Sequence, residues 1–93
     1  IVPGFWGKMY HTEGMTFSHW TIEADAELPE HRHPHEQLSY LLEGVLEFTI
    51  EGMTKVIVPG KLVVVPPNAP HSVKAVTDCV VIDIFHPVRE DYK

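Results

Sequence analysis

Two separated groups of histidines carry donor atoms with which this chain could hold a metal ion. The first group is the segment HRHPHEQ at residues 31–37. Side chains alternate between faces along a strand, so His31 and His33 are expected to point the same way and to offer two imidazole nitrogens to one ion. The second group is PPNAPHSV at residues 66–73, which contains His71. Folding that brings His71 beside the first group would complete the site.

The first group holds more inward-facing candidates than one ion needs. His31, His33, His35 and Gln37 all share one parity. Pro34 cannot donate a hydrogen bond to a sheet, so we expect a bulge or bend that removes His35 from the site and returns Gln37 to it. A solvated polar loop is the alternative interpretation of this segment.

The elements that must position these residues are predicted to be strands, because apolar side chains recur with a period of two. We expect strands at residues 15–22, 38–42, 61–65, 72–76 and 79–85, and a hairpin formed by residues 46–51 and 53–58. Pairs such as Glu43-Gly44 and Pro59-Gly60 supply turns between them. No helix is predicted. The pattern is typical of one all-β barrel domain spanning residues 1–93.

Composition limits the partners. Seven Lys and Arg against thirteen Asp and Glu give a formal net charge of -6, which disfavours nucleic-acid and membrane-surface binding. No apolar run approaches the roughly 20 residues that span a bilayer, and the first residues lack the pattern of a secretory signal. Cys79 is the single cysteine, which rules out an internal disulfide and favours a reducing, cytoplasmic location.

Asp83 is the one charged residue in the apolar segment CVVIDIF at residues 79–85. It shares parity with Val81 and Phe85, so it faces the interior if they do, where a carboxylate could perform general acid-base chemistry. A solvent-facing Asp on an edge strand is the alternative. Arg89 could anchor a substrate carboxylate with its planar fork, or simply pair with Glu90 or Asp91.

The two histidine segments resemble the two signatures of the cupin superfamily. Gly60, Pro66, Asn68 and His71 match G-x5-P-x-G-x2-H, with Asn in place of the second Gly. His31, His33 and Gly44 match H-x-H-x3-E-x6-G, with Gln37 in place of Glu. The resemblance spans residues 16–85. It implies a double-stranded β-helix, also called a jelly-roll barrel, that holds one divalent metal.

The strings HRHPHEQLSYLLEG and VIDIFHPVREDY are similar to the KdgF-type pectin-degradation cupins. That resemblance implies conversion of 4,5-unsaturated galacturonate, released in pectin or alginate breakdown, to the linear 5-keto-4-deoxyuronate. It implies a metal bound by three His and one Gln, here His31, His33, Gln37 and His71. It also implies that three side chains face the substrate, namely Asp83, Phe85 and Arg89. Zinc, nickel, iron, manganese and copper all suit such ligands.

Three other functions are compatible with the same residues. A cupin dioxygenase acting on a small organic substrate, a non-catalytic uronate-binding module and a storage-type cupin without chemistry would share the fold. We also expect a homodimer, because Val80, Ile82 and Ile84 would form an apolar outer sheet face.

Overall fold

The computed structural model describes residues 2–93 and confirms the all-β prediction. Nine strands follow one another along the chain: β1 (Phe5–His11), β2 (Thr16–Ile22), β3 (Glu27–His31), β4 (Glu36–Glu43), β5 (Leu46–Ile50), β6 (Met53–Ile57), β7 (Leu62–Val65), β8 (His71–Ala75) and β9 (Cys79–His86). A single 3-10 turn, Glu90–Tyr92, follows β9. Among the described residues, no helix is long and apolar enough to cross a membrane.

The strands form two antiparallel sheets that face each other as in a jelly-roll cupin. The five-stranded sheet has the order β1-β2-β9-β4-β7, and the four-stranded sheet has the order β3-β8-β5-β6. Alternate side chains of both sheets point inward and exclude water from the space between them. The buried apolar core includes Trp20, Ile22, Leu41, Leu46, Phe48, Val65 and Val81.

Two strands, β1 and β3, were not predicted from the sequence pattern. Strand β1 is apolar on both faces, since Trp6 and Tyr10 are exposed while Phe5 and Met9 pack on the core, so no alternation is visible. Strand β3 is short, polar and contains Pro29. It lies at the edge of the four-stranded sheet, where a proline costs no interior hydrogen bond.

Two turns show why their residues suit the fold. The predicted hairpin joins β5 to β6 through Glu51 (φ 50°) and Gly52 (φ 78°), the left-handed pair of a tight hairpin turn. Gly44 has φ 93°, and a Cβ there would collide with the carbonyl oxygen of Asp78. Asn68, which stands where the cupin signature has Gly, also has a left-handed φ of 63°, so the exchange keeps the backbone conformation.

The outer face of the five-stranded sheet is apolar. Register places Phe17, Ile84, Leu38 and Val64 side by side across four strands. Val80 and Ile82 lie on the same side, because their neighbours Val81 and Phe85 are buried on the other. We call this surface the outer sheet face; its exposed members are Trp6, Tyr10, Phe17, Tyr40, Leu42, Leu62 and Val64.

Candidate metal centre and its cavity

Three histidines meet where the two sheets open at one end. His31 ends β3 and lies directly opposite His71, the first residue of β8. His33 follows in the connection to β4. The ring centroids of His71 lie 4.2 Å from those of His31 and 4.9 Å from those of His33. One nitrogen from each ring lies within 4.8 Å of the other two. The fold therefore brings together both histidine segments.

Backbone carbonyls fix the orientation of all three rings. Nδ1 of His31 donates to Pro29 O at 2.9 Å, Nδ1 of His71 to Ala69 O at 2.8 Å, and Nδ1 of His33 to His35 O at 3.1 Å. A carbonyl can only accept, so Nδ1 carries the hydrogen and Nε2 keeps its lone pair. Nε2 of His71 is buried without any hydrogen-bond partner in residues 2–93. Such outer hydrogen bonds are the usual support of metal-binding imidazoles.

Gln37 adds a fourth acceptor atom. Its amide group donates to Oγ of Ser39 at 2.9 Å, and Ser39 in turn donates to Asp83. Since the Ser39 hydroxyl hydrogen is used on Asp83, Ser39 must accept from the Gln37 NH2 group, which directs Oε1 of Gln37 the other way. Oε1 lies 3.1 Å from Nε2 of His33. Two acceptor atoms therefore face each other, and a cation bound between them would remove the repulsion between their lone pairs.

We call His31, His33, His71 and Gln37 together the donor group. The bend at residues 34–35 separates His35 from it. His35 belongs to neither β3 nor β4, and it is outside the three-histidine group. It contributes its carbonyl oxygen to His33 instead. The placement of His35 agrees with the bend expected at Pro34.

Burial favours the uncharged form of His33 and His71. The pKa of His33 falls to about 4, first because burial penalises the imidazolium and then because of the positive charge of Arg89. Burial likewise lowers the pKa of His71, although the hydrogen bond that His71 donates to Ala69 O acts in the opposite direction. Neutral imidazoles are the form that binds metal. Three imidazole nitrogens and one amide oxygen therefore fit a divalent transition metal.

A cavity of about 380 Å³ extends from the donor group into the space between the sheets. This volume is near the lower end of the range for small-molecule sites, about 300 to 1,000 Å³. Its walls are mostly apolar, with Phe48, Val73 and Val81 among them. Its polar and charged lining consists of His31, Gln37, Ser39, His71, Asp83, Arg89 and Asp91.

Asp83 lies in the cavity wall, on the same face of β9 as Val81 and Phe85. Ser39, directly opposite on β4, donates a hydrogen bond of 2.5 Å to its Oδ1. Burial raises the pKa of Asp83 to about 6, while Ser39, Gln37 and the charge of Arg89 pull it down. The carboxyl of Asp83 therefore shares the cavity with His31, Gln37 and His71 and has a pKa raised by its burial.

Arg89 and Phe85 line the same cavity. The guanidinium carbon of Arg89 lies 4.7 Å from the ring centroid of Phe85 and 4.1 Å from that of Tyr92. Arg89 is paired with Asp91 and not with Glu90. The ring of Phe85 also meets His33 edge-on, with centroids 5.7 Å apart. Six of the seven sequence candidates therefore line one cavity. The seventh, His33, contacts two of the lining residues, His71 and Phe85.

Three further residues of this site were missed from the sequence: Ser39, Asp91 and Tyr92. Ser39 has the parity of Gln37, which is a signal that was available. Its role as the bridge to Asp83 depends on the register of β4 against β9, which the sequence does not show. The sequence indicates Asp91 as a possible partner of Arg89, but not as a residue that lines the cavity.

A cupin-domain family model matches residues 18–85 of the chain. The chain belongs to the cupin family. The structure of KdgF from a Halomonas species superposes with a TM-score of 0.95 at 30% identity, covering 100% of this chain and 87% of that one. An RmlC-like cupin from Shewanella frigidimarina gives the same TM-score at 31% identity, covering 100% and 85%.

More distant cupins share the fold alone. Salicylate 1,2-dioxygenase from Pseudoaminobacter salicylatoxidans superposes with a TM-score of 0.89 but is only 18% identical, and the match covers 92% of this chain and 28% of the dioxygenase. No curated protein matches the chain significantly in sequence. The expected resemblance to KdgF-type cupins is confirmed at the level of structure and family.

Proposed function

We propose that this cupin opens the ring of 4,5-unsaturated galacturonate to give the linear 5-keto-4-deoxyuronate. The observation that carries the proposal is the chain of contacts from Gln37 through Ser39 to Asp83, which joins the donor group to a carboxyl group in one cavity. The 30% identity to KdgF over the full length of this chain supports the same assignment. The Asp83, Phe85 and Arg89 roles are part of this proposal.

The reaction is an isomerisation that moves protons without removing electrons. The substrate is a cyclic hemiacetal whose ring oxygen is also an enol-ether oxygen. Asp83 takes the proton of the anomeric hydroxyl, the bond from the anomeric carbon to the ring oxygen breaks, and an aldehyde forms. Asp83 then returns a proton to the enol system, which becomes the ketone. A carboxyl with a pKa of about 6 can perform both steps near neutral pH.

His31, His33, Gln37 and His71 would hold one divalent metal, which supplies Lewis-acid stabilisation of oxyanion charge when bound. All four side chains are neutral donors in their binding forms, so the ligands themselves cancel none of the positive charge. A carboxylate at the position of Gln37, as in the common cupin signature, would lower that charge. The neutral ligand set therefore favours an anionic substrate such as a uronate.

Arg89 and Phe85 would hold the sugar. The guanidinium is a planar donor suited to a carboxylate, and it lies in the cavity wall with Asp83. Phe85 is buried, and its ring contacts both His33 and Arg89. It therefore acts as a spacer between the proposed metal ligands and the guanidinium of Arg89.

Oxygen consumption separates this proposal from the main alternative. A three-histidine cupin could also be a dioxygenase, which is why the group His31, His33 and His71 alone does not decide the reaction class. The metal-loaded protein is incubated with unsaturated galacturonate under anaerobic conditions, and the reaction is monitored by proton NMR. We expect full conversion. Product that appears only with oxygen uptake would indicate a dioxygenase, and binding without product would indicate a sugar-binding module.

We further propose a homodimer that packs two outer sheet faces together. Phe17, Tyr40 and Leu62 are exposed there in the single chain, in line with Val80, Ile82 and Ile84. An apolar sheet face of this extent favours a partner, and an identical copy provides a matching one. Light scattering should give twice the chain mass; a monomer at high concentration would contradict the dimer.

The free, buried Cys79 fits the cytoplasmic location that we propose.

A further inference from the structure

Asp91 holds the guanidinium of Arg89 by one edge. Nε of Arg89 donates to Oδ1 of Asp91 at 2.9 Å, and Nη2 donates to Oδ2 at 2.6 Å. The Arg89 side chain is only 9% exposed, whereas the Asp91 side chain is 56% exposed. The pair therefore differs from an ordinary surface ion pair, because its cation lies inside the cavity wall and its anion lies at the rim.

The opposite edge of the guanidinium remains available to a ligand. Asp91 occupies the side formed by Nε and Nη2, which leaves Nη1 and the second hydrogen of Nη2. Within residues 2–93 no other carboxylate or backbone carbonyl accepts a hydrogen bond from the guanidinium. The hydroxyl of Tyr92 also interacts with Arg89, but it is a neutral group and leaves the positive charge uncompensated on that side. The rings of Phe85 and Tyr92 lie against the group at 4.7 and 4.1 Å and restrict its rotation.

The turn that carries Asp91 is itself anchored. The backbone N–H of Arg89 donates to Oγ1 of Thr16 on β2 at 2.8 Å, and the N–H of Tyr92 donates to the carbonyl of Arg89 at 3.0 Å. Tyr92 packs edge-on against Trp20 of the core, with centroids 6.3 Å apart. Asp91 thus has a fixed position relative to Arg89 and to the cavity that both residues line.

The geometry points to Asp91 as a positioning residue for anion capture: it fixes one edge of Arg89 so that the other edge meets the carboxylate of a sugar acid in the cavity. This inference rests on the proposed function for its choice of ligand. The competing possibility is that Asp91 occupies the place of the ligand carboxylate and must be displaced. The two possibilities predict opposite effects when the Asp91 charge is removed.

The test measures binding without turnover, so that it stays separate from the proposed reaction. Zinc-loaded protein is titrated calorimetrically with D-galacturonate, which has the carboxylate but no double bond, and with D-galactose, which lacks the charge. The variants are Asp91→Asn, Asp91→Glu and, as a matched control, Glu90→Gln. Glu90 lies in the same turn, carries the same charge and pairs with Lys93 at 3.4 Å outside the cavity. Zinc content and melting temperature are recorded for each variant.

Asp91→Asn is expected to weaken galacturonate binding about tenfold, since a charged two-point contact is replaced by one weaker hydrogen bond. Asp91→Glu should recover part of the loss, Glu90→Gln should change the affinity less than twofold, and galactose binding should not respond. Tighter galacturonate binding by Asp91→Asn would overturn the inference in favour of displacement. An equal loss with Glu90→Gln, or no preference of the parent protein for galacturonate over galactose, would also overturn it. Retained binding with no conversion of unsaturated galacturonate would contradict only the proposed function.

Discussion

Oε1 of Gln37 lies 3.1 Å from Nε2 of His33, although both atoms are acceptors once their other contacts are counted. Nδ1 of His33 donates its hydrogen to His35 O, and the NH2 group of Gln37 donates to Oγ of Ser39. Two lone pairs therefore face each other beside the orphaned Nε2 of His71. A bound cation is the arrangement that satisfies all of these atoms at once.

Replacing one proposed ligand should weaken metal binding strongly, whereas replacing a neighbouring histidine should not. His31→Ala is expected to lower zinc affinity at least about 100-fold, because one of the four donors is removed. His35→Ala is the matched control, since both histidines are half-buried and only His31 belongs to the donor group. Elemental analysis of dialysed protein measures the difference. Equal zinc loss in both variants would contradict the assigned ligand set.

Gln37→Glu tests whether the neutral ligand set serves an anionic substrate. The variant should retain one divalent ion per chain, because a carboxylate oxygen replaces an amide oxygen. Its kcat/KM for unsaturated galacturonate should fall about tenfold or more through repulsion between two carboxylates. Steady-state kinetics with measured metal content check this. Unchanged kcat/KM would show that the charge at residue 37 does not matter.

Asp83→Asn should lower kcat for ring opening at least about 100-fold with metal content unchanged, because an amide cannot shuttle the proton. Ser39→Ala should have a smaller effect, since it removes only the hydrogen bond to Oδ1. Asp78→Asn is the control: Asp78 is exposed and outside the cavity lining. Full activity of Asp83→Asn would remove the proposed proton transfer.

The same variant should stabilise the metal-free protein in a pH-dependent way. The pKa of Asp83 is about 6 when folded against an ordinary value of 3.8, so folding favours the protonated form. The stability that this carboxyl contributes is fully present below pH 3.8 and is lost as pH rises through 6. At about 1.4 kcal/mol per pH unit, the loss at pH 7.5 is at most about 3 kcal/mol.

Urea unfolding of chelated protein therefore should show Asp83→Asn more stable than the parent at pH 7.5, with the difference disappearing near pH 4. A variant that is less stable than the parent at pH 7.5 would show that the charged carboxylate is well accommodated in the fold.

The sequence predicted those parts of the site that depend on local pattern. The spacing of His31 and His33, the bend at Pro34 and the inward parity of Asp83 follow from alternation along a strand and from the missing N–H of proline. The second histidine-containing segment, residues 66–73, makes His71 the candidate for the third imidazole, and its agreement with the cupin signature adds support. These expectations agree with where the structure places the residues.

Features that depend on tertiary register could not be predicted. The Ser39–Asp83 bridge exists because β4 pairs with β9 in one register. Asp91 and Glu90 were both possible partners of Arg89 from the sequence, and the choice of Asp91 depends on a turn anchored to Thr16, far away in sequence. Strand β1 was missed because both of its faces are apolar, which hides the period of two.

The most direct test of the central claim compares holo and chelated protein side by side with unsaturated galacturonate while the absorbance of the enol ether is followed. We expect the absorbance to fall with the holo protein, to stay at the uncatalysed rate with the chelated protein, and to fall again once zinc or another divalent transition metal is restored. Equal rates in the presence and absence of metal, or no fall with any metal, would contradict the account.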